Sequence, residues 1–442
     1  MTDDQGWFDA GFNGNTQILT PFLDSLASNG IVFDRFYSAS AVCSPTRASL
    51  ITGRNPLRIE IPYANSGHMK DEEITIPELL SKEGYATGHF GKWHLGTFTK
   101  NELDANRGGR ENFIEDYSIP TEHGYDALFC TESKVPTFDP MVYPSAYGSG
   151  ESMRYGWKAI ANYDSTHSYG TAYWKGANQK ETNNLRGDDS RIIMDRVIPF
   201  IENALEEQRP FFTTIWFHTP HLPVVSDSLH RSYYSEMEEA KQIYYGTITA
   251  MDNQVGRLWK KLEKSGIQEK TIIFFCSDNG PEVQTPGSAG IFRERKRSLY
   301  EGGVRVPAFV TWKNKLEGGR RMDFPAVTSD YLPTILEILD IDYPDNRPID
   351  GISLIDALKG RVKERKKPIG FICKPNISWV THQYKLIGDE NGENFELYNL
   401  ITDPSEEENI IGNHPLVADQ LKAELYDWLQ SVENSKKGMD YE

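Results

Sequence analysis

The sequence predicts an α/β protein: a largely parallel sheet sandwiched by helices, followed by a smaller C-terminal α+β subdomain that carries an antiparallel hairpin. Three observations predict it. Helix-period segments alternate with short, nearly unbroken apolar runs through the first 360 residues, the pattern of strands buried on both faces. A polar loop follows each of those runs. Beyond about residue 360, two runs at 384–387 and 395–400 flank the turn sequence GDENGEN, which suits a hairpin.

The elements follow in order. Residues 20–30, TPFLDSLASNG, start on Thr-Pro and stop on Gly as a helix does, and 31–36 read as a strand. Residues 76–84 repeat that helix grammar before the strand 85–90. An amphipathic helix over 190–208 leads into the strand 210–217, and a helix over 243–266 into the strand 271–277. A last amphipathic helix spans 415–432. The expected division is a large α/β unit over 1–360 and a subdomain over 361–442. Within the first, residues 101–184 are rich in Tyr, Gly, Ser and Pro and read as loops inserted over one sheet edge, where selectivity often resides.

Composition bounds the function. The chain has 442 residues, and 47 Lys and Arg against 64 Asp and Glu give a net charge of −17. That balance argues against a nucleic-acid partner, which needs clustered cations, but leaves room for a small basic pocket and an anionic substrate. No apolar run approaches the roughly 20 residues of a membrane span. Four cysteines (Cys43, Cys130, Cys276, Cys373) lack paired spacing, so neither a disulfide framework nor a zinc site is suggested.

Ligands of open parallel sheets gather beyond the carboxyl ends of the strands. Asp278-Asn279-Gly280 follows one strand, His218 and His221 another, Lys92 and His94 a third, and Cys43 and Arg47 a fourth. Asp3 and Asp4 with Asp278 and Asn279 form an all-oxygen set of the kind hard cations prefer. Read alone, SDNG is an ordinary turn and Asp3-Asp4 an exposed acidic end. Arg47, Lys92, His94, His221 and Lys296 form the complementary set, suited to an oxyanion. His218 divides between substrate contact and structural capping, and His68 could line a substrate subsite. A cysteine ahead of a helix, taken by itself, could also be a thiolate nucleophile.

Cys43-Ser44-Pro45-Thr46-Arg47, continued to Thr52-Gly53-Arg54, resembles the signature of the type I sulfatases, with Thr46 keeping the hydroxyl of the more usual Ser. TDDQGW at 2–7, GKWHLG at 91–96, PHLP at 220–223, SDNG at 277–280, Lys296 before EGG at 301–303, and ELYNL at 396–400 stand in the family's order. The resemblance covers nearly the whole chain. It implies an alkaline-phosphatase-like fold, oxidation of Cys43 to formylglycine by a maturation enzyme, and one calcium ion on Asp3, Asp4, Asp278, Asn279 and the modified Cys43. It further implies that Arg47, Lys92 and Lys296 serve the nucleophile and the sulfuryl oxygens, that His221 protonates the leaving alcohol and that His94 takes the proton that lets sulfate depart. The family also places an apolar strand before the Asp-Asp pair, where only Met1 and Thr2 stand here. The expectation is therefore an N-terminally shortened chain of a periplasmic or secreted protein.

The expected substrate is a sulfated carbohydrate, with Tyr143, Tyr147, Trp157, Tyr163, Tyr169, Tyr173 and Trp174 as aromatic platforms; ordinary loop packing is the competing reading. Two rivals remain open: a phosphodiesterase or phosphonate hydrolase of the same superfamily, and a non-catalytic carbohydrate-binding relative with Cys43 unmodified.

Overall fold

The structure, a computed structural model, describes residues 1–144 and 163–441. Nine strands build the sheet: β1 (Ile31–Phe33), β2 (Ala86–Lys92), β3 (Ala127–Thr131), β4 (Trp174–Gly176), β5 (Gln179–Lys180), β6 (Phe211–Trp216), β7 (Ile273–Cys276), β8 (Ala308–Thr311) and β9 (Arg320–Met322). β2 lies between β3 and β6 and runs parallel to both, with Gly88 opposite Ala127 and Ala86 opposite Phe211. β4 and β5 extend that group antiparallel. The other group runs β7-β8-β1-β9, antiparallel except between β1 and β9.

The first three residues join the two groups. The Met1 ammonium donates to Ile215 O at 2.9 Å, and Met1 O accepts from Phe217 N at 3.0 Å. On the other side Thr2 N donates to Cys276 O at 3.0 Å, and Thr2 O accepts from Asp278 N at 3.1 Å, a parallel bridge to the end of β7. Behind Met1, between β6 and β7, lies an apolar cavity of about 590 Å3 whose walls include Leu205, Ile215, Leu262, Ile273 and Phe275.

Alternation along the strands shows why the sheet is covered on both faces. Ile31 and Phe33 enter one core while Val32 between them enters the other, and Ala308 and Val310 face away from Phe309 in the same way. Helices α1 (Pro21–Ser28), α2 (Cys43–Thr52), α3 (Ile76–Lys82), α4 (Asp189–Glu206), α5 (Glu239–Lys264) and α6 (Tyr331–Leu339) cover those faces. Their starts obey local chemistry. Thr75 and Glu78 form a reciprocal capping box on α3, and the Asp188 carboxylate accepts from Arg191 N at the head of α4. Ile192, Val197 and Ile201 of α4 meet Ile248, Met251 and Val255 of α5 in one core.

At the C-terminus, β10 (Ile369–Cys373), β11 (Asn376–Val380), β12 (Tyr384–Asp389) and β13 (Glu396–Asn399) form an antiparallel meander, with α7 (Pro415–Lys436) packing Leu421 and Leu425 on Ile377, Leu386 and Leu397. The expected hairpin is β12–β13, with Ile387 opposite Glu396; two further strands precede it.

Two expectations for residues 101–184 need correction. The segment is not all loop: β3 is a member of the sheet beside β2. Nor are its described aromatics platforms. Tyr169, Tyr173 and Trp174 are buried, Tyr173 stacked on Phe129 at 4.2 Å and Trp174 on Phe98 at 6.0 Å. Tyr143 is half-buried beside Tyr169. Tyr147, Trp157 and the Tyr163 side chain lie outside the described residues.

Candidate active site

The strand ends converge as the parallel architecture requires. Lys92 closes β2, the turn carrying His218 and His221 follows β6, Ser277–Gly280 follow β7, and Cys43 is the first residue of α2. Every residue of α2 is buried, so the positive end of its dipole points into a site with little water to screen it. Thr46 anchors that end: its hydroxyl donates to Ser40 O at 3.0 Å and accepts from Ser40 N at 3.2 Å.

Around Cys43 the charges interlock. Cys43 Sγ lies 4.0 Å from Asp4 Oδ1. Lys296 Nζ donates to both Asp4 oxygens at 2.6 and 2.7 Å, and Lys92 Nζ to Asp3 Oδ2 at 2.8 Å. Arg47 grips Asp278 Oδ2 through Nε and Nη2 at 3.0 and 2.6 Å, while Asn279 Nδ2 donates to Asp4 Oδ1 at 2.7 Å. His221 Nε2 stands 3.7 Å from Asp4 Oδ2, its Nδ1 donating to Leu222 O at 2.5 Å. One pocket thus gathers Asp3, Asp4, Cys43, Arg47, Lys92, His221, Asp278, Asn279 and Lys296.

Burial pushes the Cys43 thiol up to about 12, against the pull of Lys296 and Lys92. Burial thus weighs against the bare-thiolate reading of Cys43. Burial also lifts Asp278, to about 6, with Asp3 adding to it. For Asp4 burial is the largest influence and acts upward too, but Lys296, His221 and Lys92 together outweigh it and hold the carboxyl well below the usual range. His221 is driven well below an ordinary histidine by burial, with Asp4 only partly opposing. Burial and then Lys92 do the same to His94.

The oxygen set fits a hard cation. Asp3 Oδ1, whose nearest cation is Arg47 Nη2 at 3.6 Å, and Asn279 Oδ1 are buried with no hydrogen-bond donor, an arrangement that a bound cation would relieve. Ligating atoms of Asp3, Asp4, Cys43 and His221 all lie within 4.8 Å of one another. Asp4 and His94 hold left-handed backbone at φ 67° and 61°, strain of the kind that collects where a side chain must be aimed.

Two expected residues fall differently. His218 is fully buried, with Nδ1 2.8 Å from Asp189 Oδ2 and Nε2 2.7 Å from Thr131 Oγ1. Both ring nitrogens are used inside the protein, so the expected substrate contact is corrected to a strand-end brace. His68 stays partly open, its Nδ1 3.2 Å from Asp116 Oδ1, on a segment whose Met69 N donates to Leu95 O at 2.7 Å. The sequence reading missed a neighbour on that segment. Asn65 Oδ1 accepts from His94 Nε2 at 2.8 Å, and the other ring nitrogen, Nδ1, is buried without a partner. Its one sequence signal was an Asn-Ser-Gly turn, which suits the left-handed φ of 60° at Asn65.

Comparison with known proteins gives the family. The sulfatase family model matches residues 1–341. The chain belongs to the sulfatase family. A second model, the C-terminal part of N-sulphoglucosamine sulphohydrolase, matches residues 287–434. N-acetylgalactosamine-6-sulfatase of Canis lupus familiaris is 29% identical over 87% of this sulfatase and 70% of its own length; steryl-sulfatase of Mus musculus is 30% identical over 81% and 64%. Among solved structures, Ps i-CgsB in complex with k-i-k-neocarrahexaose superposes with a TM-score of 0.82 at 24% identity, covering 100% of this chain and 95% of the other. Phosphonate monoester hydrolase of Agrobacterium radiobacter shares the fold at a TM-score of 0.62 and 17% identity, over 98% and 94%. This sulfatase is accordingly a sulfuric ester hydrolase with a mixed α/β fold, and none of its described helices is long and apolar enough to cross a membrane.

Proposed function

We propose that this sulfatase releases sulfate from a sulfated carbohydrate, using formylglycine made from Cys43 and one calcium ion. The observation that carries the reading is the thiol at the head of a fully buried helix, pushed up by burial and 4.0 Å from Asp4 within an oxygen set that has two unmet acceptors. The carbohydrate follows from relatives named for N-acetylgalactosamine 6-sulfate and from a fold neighbour in complex with D-glucosamine-2-N,6-O-disulfate, at a TM-score of 0.72.

Asp3, Asp4, Asp278, Asn279 and residue 43 would hold the calcium ion, which would supply positive charge to the site. Formylglycine at position 43, when present, would supply the nucleophilic oxygen. The chain's own side chains do the rest. Lys92 and Lys296 sit on Asp3 and Asp4, so their ammoniums line the place where sulfuryl charge collects. Arg47 fixes Asp278 from behind. His221 has Nδ1 committed to Leu222 O and presents Nε2 to the site; the charge of a bound sulfate ester favours its protonated form, which gives a proton to the departing alcohol oxygen. Asn65 fixes the His94 tautomer with the proton on Nε2, leaving Nδ1 as the acceptor.

In this reading residues 1–360 carry the chemistry, 361–442 form a buttressing subdomain, and the protein works in the periplasm or outside the cell after a maturation enzyme has read the Cys43 motif. The test is sulfate release from a panel of sulfated sugars, aryl sulfates and the matching phosphate esters, by protein coexpressed with a maturation enzyme, with Cys43→Ala alongside. Release from a sugar by the parent alone is expected. Equal release by both proteins would overturn the mechanism, and preference for the phosphate esters would shift the reading to the phosphonate-hydrolase branch.

A further inference from the structure

The cations inside the pocket already have their carboxylates: Lys92 has Asp3, Lys296 has Asp4 and Arg47 has Asp278. Arg297, the neighbour of Lys296, is gripped by both oxygens of Glu282 at 2.7 Å each. Lys134 is different. It is exposed, and among the described residues its ammonium has no ion pair and no hydrogen bond.

Its backbone is nevertheless fixed from both sides. Lys134 follows β3, whose end is tied to the end of β2: Trp93 N donates to Thr131 O at 3.1 Å and His94 N to Glu132 O at 2.8 Å. Thr131 Oγ1 donates to Ser133 O at 2.8 Å and lies 2.7 Å from His218 Nε2, so the brace at His218 also sets the turn that carries Lys134. Beyond it Val135 is fully buried, and Thr137 N donates to Pro223 O at 3.2 Å, on the turn of His221. Residues 131–137 thus cross from His94 to the His221 turn, and Lys134 is the one exposed residue among them.

Electrostatics show which way the side chain faces. Loss of water around the ammonium, and after it the charges of Lys92 and Lys296, lower its proton affinity; Lys134 is in turn one of the cations that act on His221. An ammonium that feels both paired lysines and the histidine of the leaving-group side stands at the mouth of the pocket, where the alcohol departs. A sulfate ester carries a single negative charge and already meets two lysines within. A third lysine, on stiff backbone and against others of its own sign, fits an anion that arrives with the substrate.

We propose that Lys134 is a specificity-determining residue that binds a second anionic group, a sulfate or a carboxylate, on the sugar that carries the scissile sulfate or on the unit joined to it. This rests on the sulfatase reading of the pocket and narrows its substrates to sugars with at least two negative charges.

The test measures kcat/KM for N-acetylgalactosamine 6-sulfate, N-acetylgalactosamine 4,6-disulfate, and the disaccharide of a uronic acid with N-acetylgalactosamine 6-sulfate. The proteins are the parent, Lys134→Ala, Lys134→Arg and Lys134→Glu, each coexpressed with a maturation enzyme. The parent is expected to favour a doubly charged sugar over the monosulfate by roughly 10- to 100-fold, the worth of one charge-assisted hydrogen bond. Lys134→Ala should bring that ratio to about 1, Lys134→Arg should keep most of it, and Lys134→Glu should invert it. A preference carried by the disulfate identifies the anion as a second sulfate, and one carried by the disaccharide identifies a carboxylate. No preference in the parent, or an equal loss on all three sugars in Lys134→Ala, would overturn the proposal. The same ratios are read as Kd by calorimetry in the Cys43→Ala background, which needs no turnover. Absent release with the Kd ratio kept is a failure of the reaction assigned above; a flat Kd ratio with release kept is a failure of Lys134 alone.

Discussion

Two clusters of buried charge sit close together in this molecule and have opposite characters. At the junction with the C-terminal meander, Glu301 accepts from Tyr37 Oη at 3.0 Å, Arg305 Nη1 at 3.2 Å and Lys385 Nζ at 3.1 Å, and Lys385 also meets Glu406 at 2.8 Å. Glu406 in turn accepts from Glu301 N at 2.6 Å. Each carboxylate there is paired with a protein cation: Arg305 and Lys385 meet Glu301, and Lys385 meets Glu406 Oε1, an oxygen that otherwise takes no hydrogen bond. In the pocket around Cys43, by contrast, Asp3 and Asn279 keep oxygens with no donor and His94 keeps a bare nitrogen. Charge completed by protein holds the fold together; charge left incomplete in a buried place is waiting for something that arrives.

That distinction predicts which substitutions cost activity and which cost stability. The largest effect belongs to Cys43→Ala, which should lower sulfate release by roughly 10^6-fold with Tm nearly unchanged, measured in parallel by ion chromatography and calorimetry. His94→Ala and His221→Ala should each cost roughly 100- to 10,000-fold in kcat, again in a folded protein. A drop in Tm that accounts for the lost rate would erase the contrast between the clusters. Lys385→Met should do the reverse. It leaves the buried Glu406 without a cation and Glu301 with Arg305 alone, and should cost about 3–5 kcal/mol in denaturant unfolding, with activity per folded molecule preserved.

Asn65→Ala is expected to lower kcat by roughly 10- to 100-fold with KM little changed, because it frees the His94 ring to change tautomer. Asn65→Asp should alter the pH profile instead, since a carboxylate at Nε2 raises the proton affinity of His94. The smallest effect sharpens the junction. Burial, opposed by Lys385 and reinforced by Glu301, lifts Glu406 to about 7 from an ordinary 4.5. A raised carboxyl stabilises the native state fully below about 4.5 and loses that contribution as pH rises through about 7. Glu406→Gln should therefore flatten Tm between pH 5 and 8 and melt no lower than the parent at pH 8.

Much of the site was readable in advance because strand ends in a parallel sheet must point one way. Once Lys92, His221 and Asp278 were each placed after an apolar run, their meeting followed from topology. His218 misled for the same reason. It shares the strand end with His221, and only the positions of Asp189 and Thr131, 29 and 87 residues away in sequence, reveal that its ring is spent inward. β3 escaped notice because its residues, Ala127–Thr131, carry one short apolar run within a stretch of turn formers. The aromatic residues after it were equally ambiguous: Tyr173 and Trp174 look like a binding surface in sequence and prove to be core, since only the partner rings Phe129 and Phe98 decide which. Asn65 lies in an ordinary turn, and its role comes from a contact 29 residues away.

The seam made by Met1, Thr2 and Asp3 has a thermodynamic consequence. The residues that stitch β6 to β7 run without interruption into Asp3 and Asp4, so a ligand bound to the oxygen set and the integrity of this seam are thermodynamically linked. A cation that binds only the intact seam stabilises it by RT ln(1 + [L]/Kd), about 2.7 kcal/mol at one hundred times Kd. On the proposed calcium reading, a chelator would act twice, on the chemistry at residue 43 and on the cohesion of the seam that presents it.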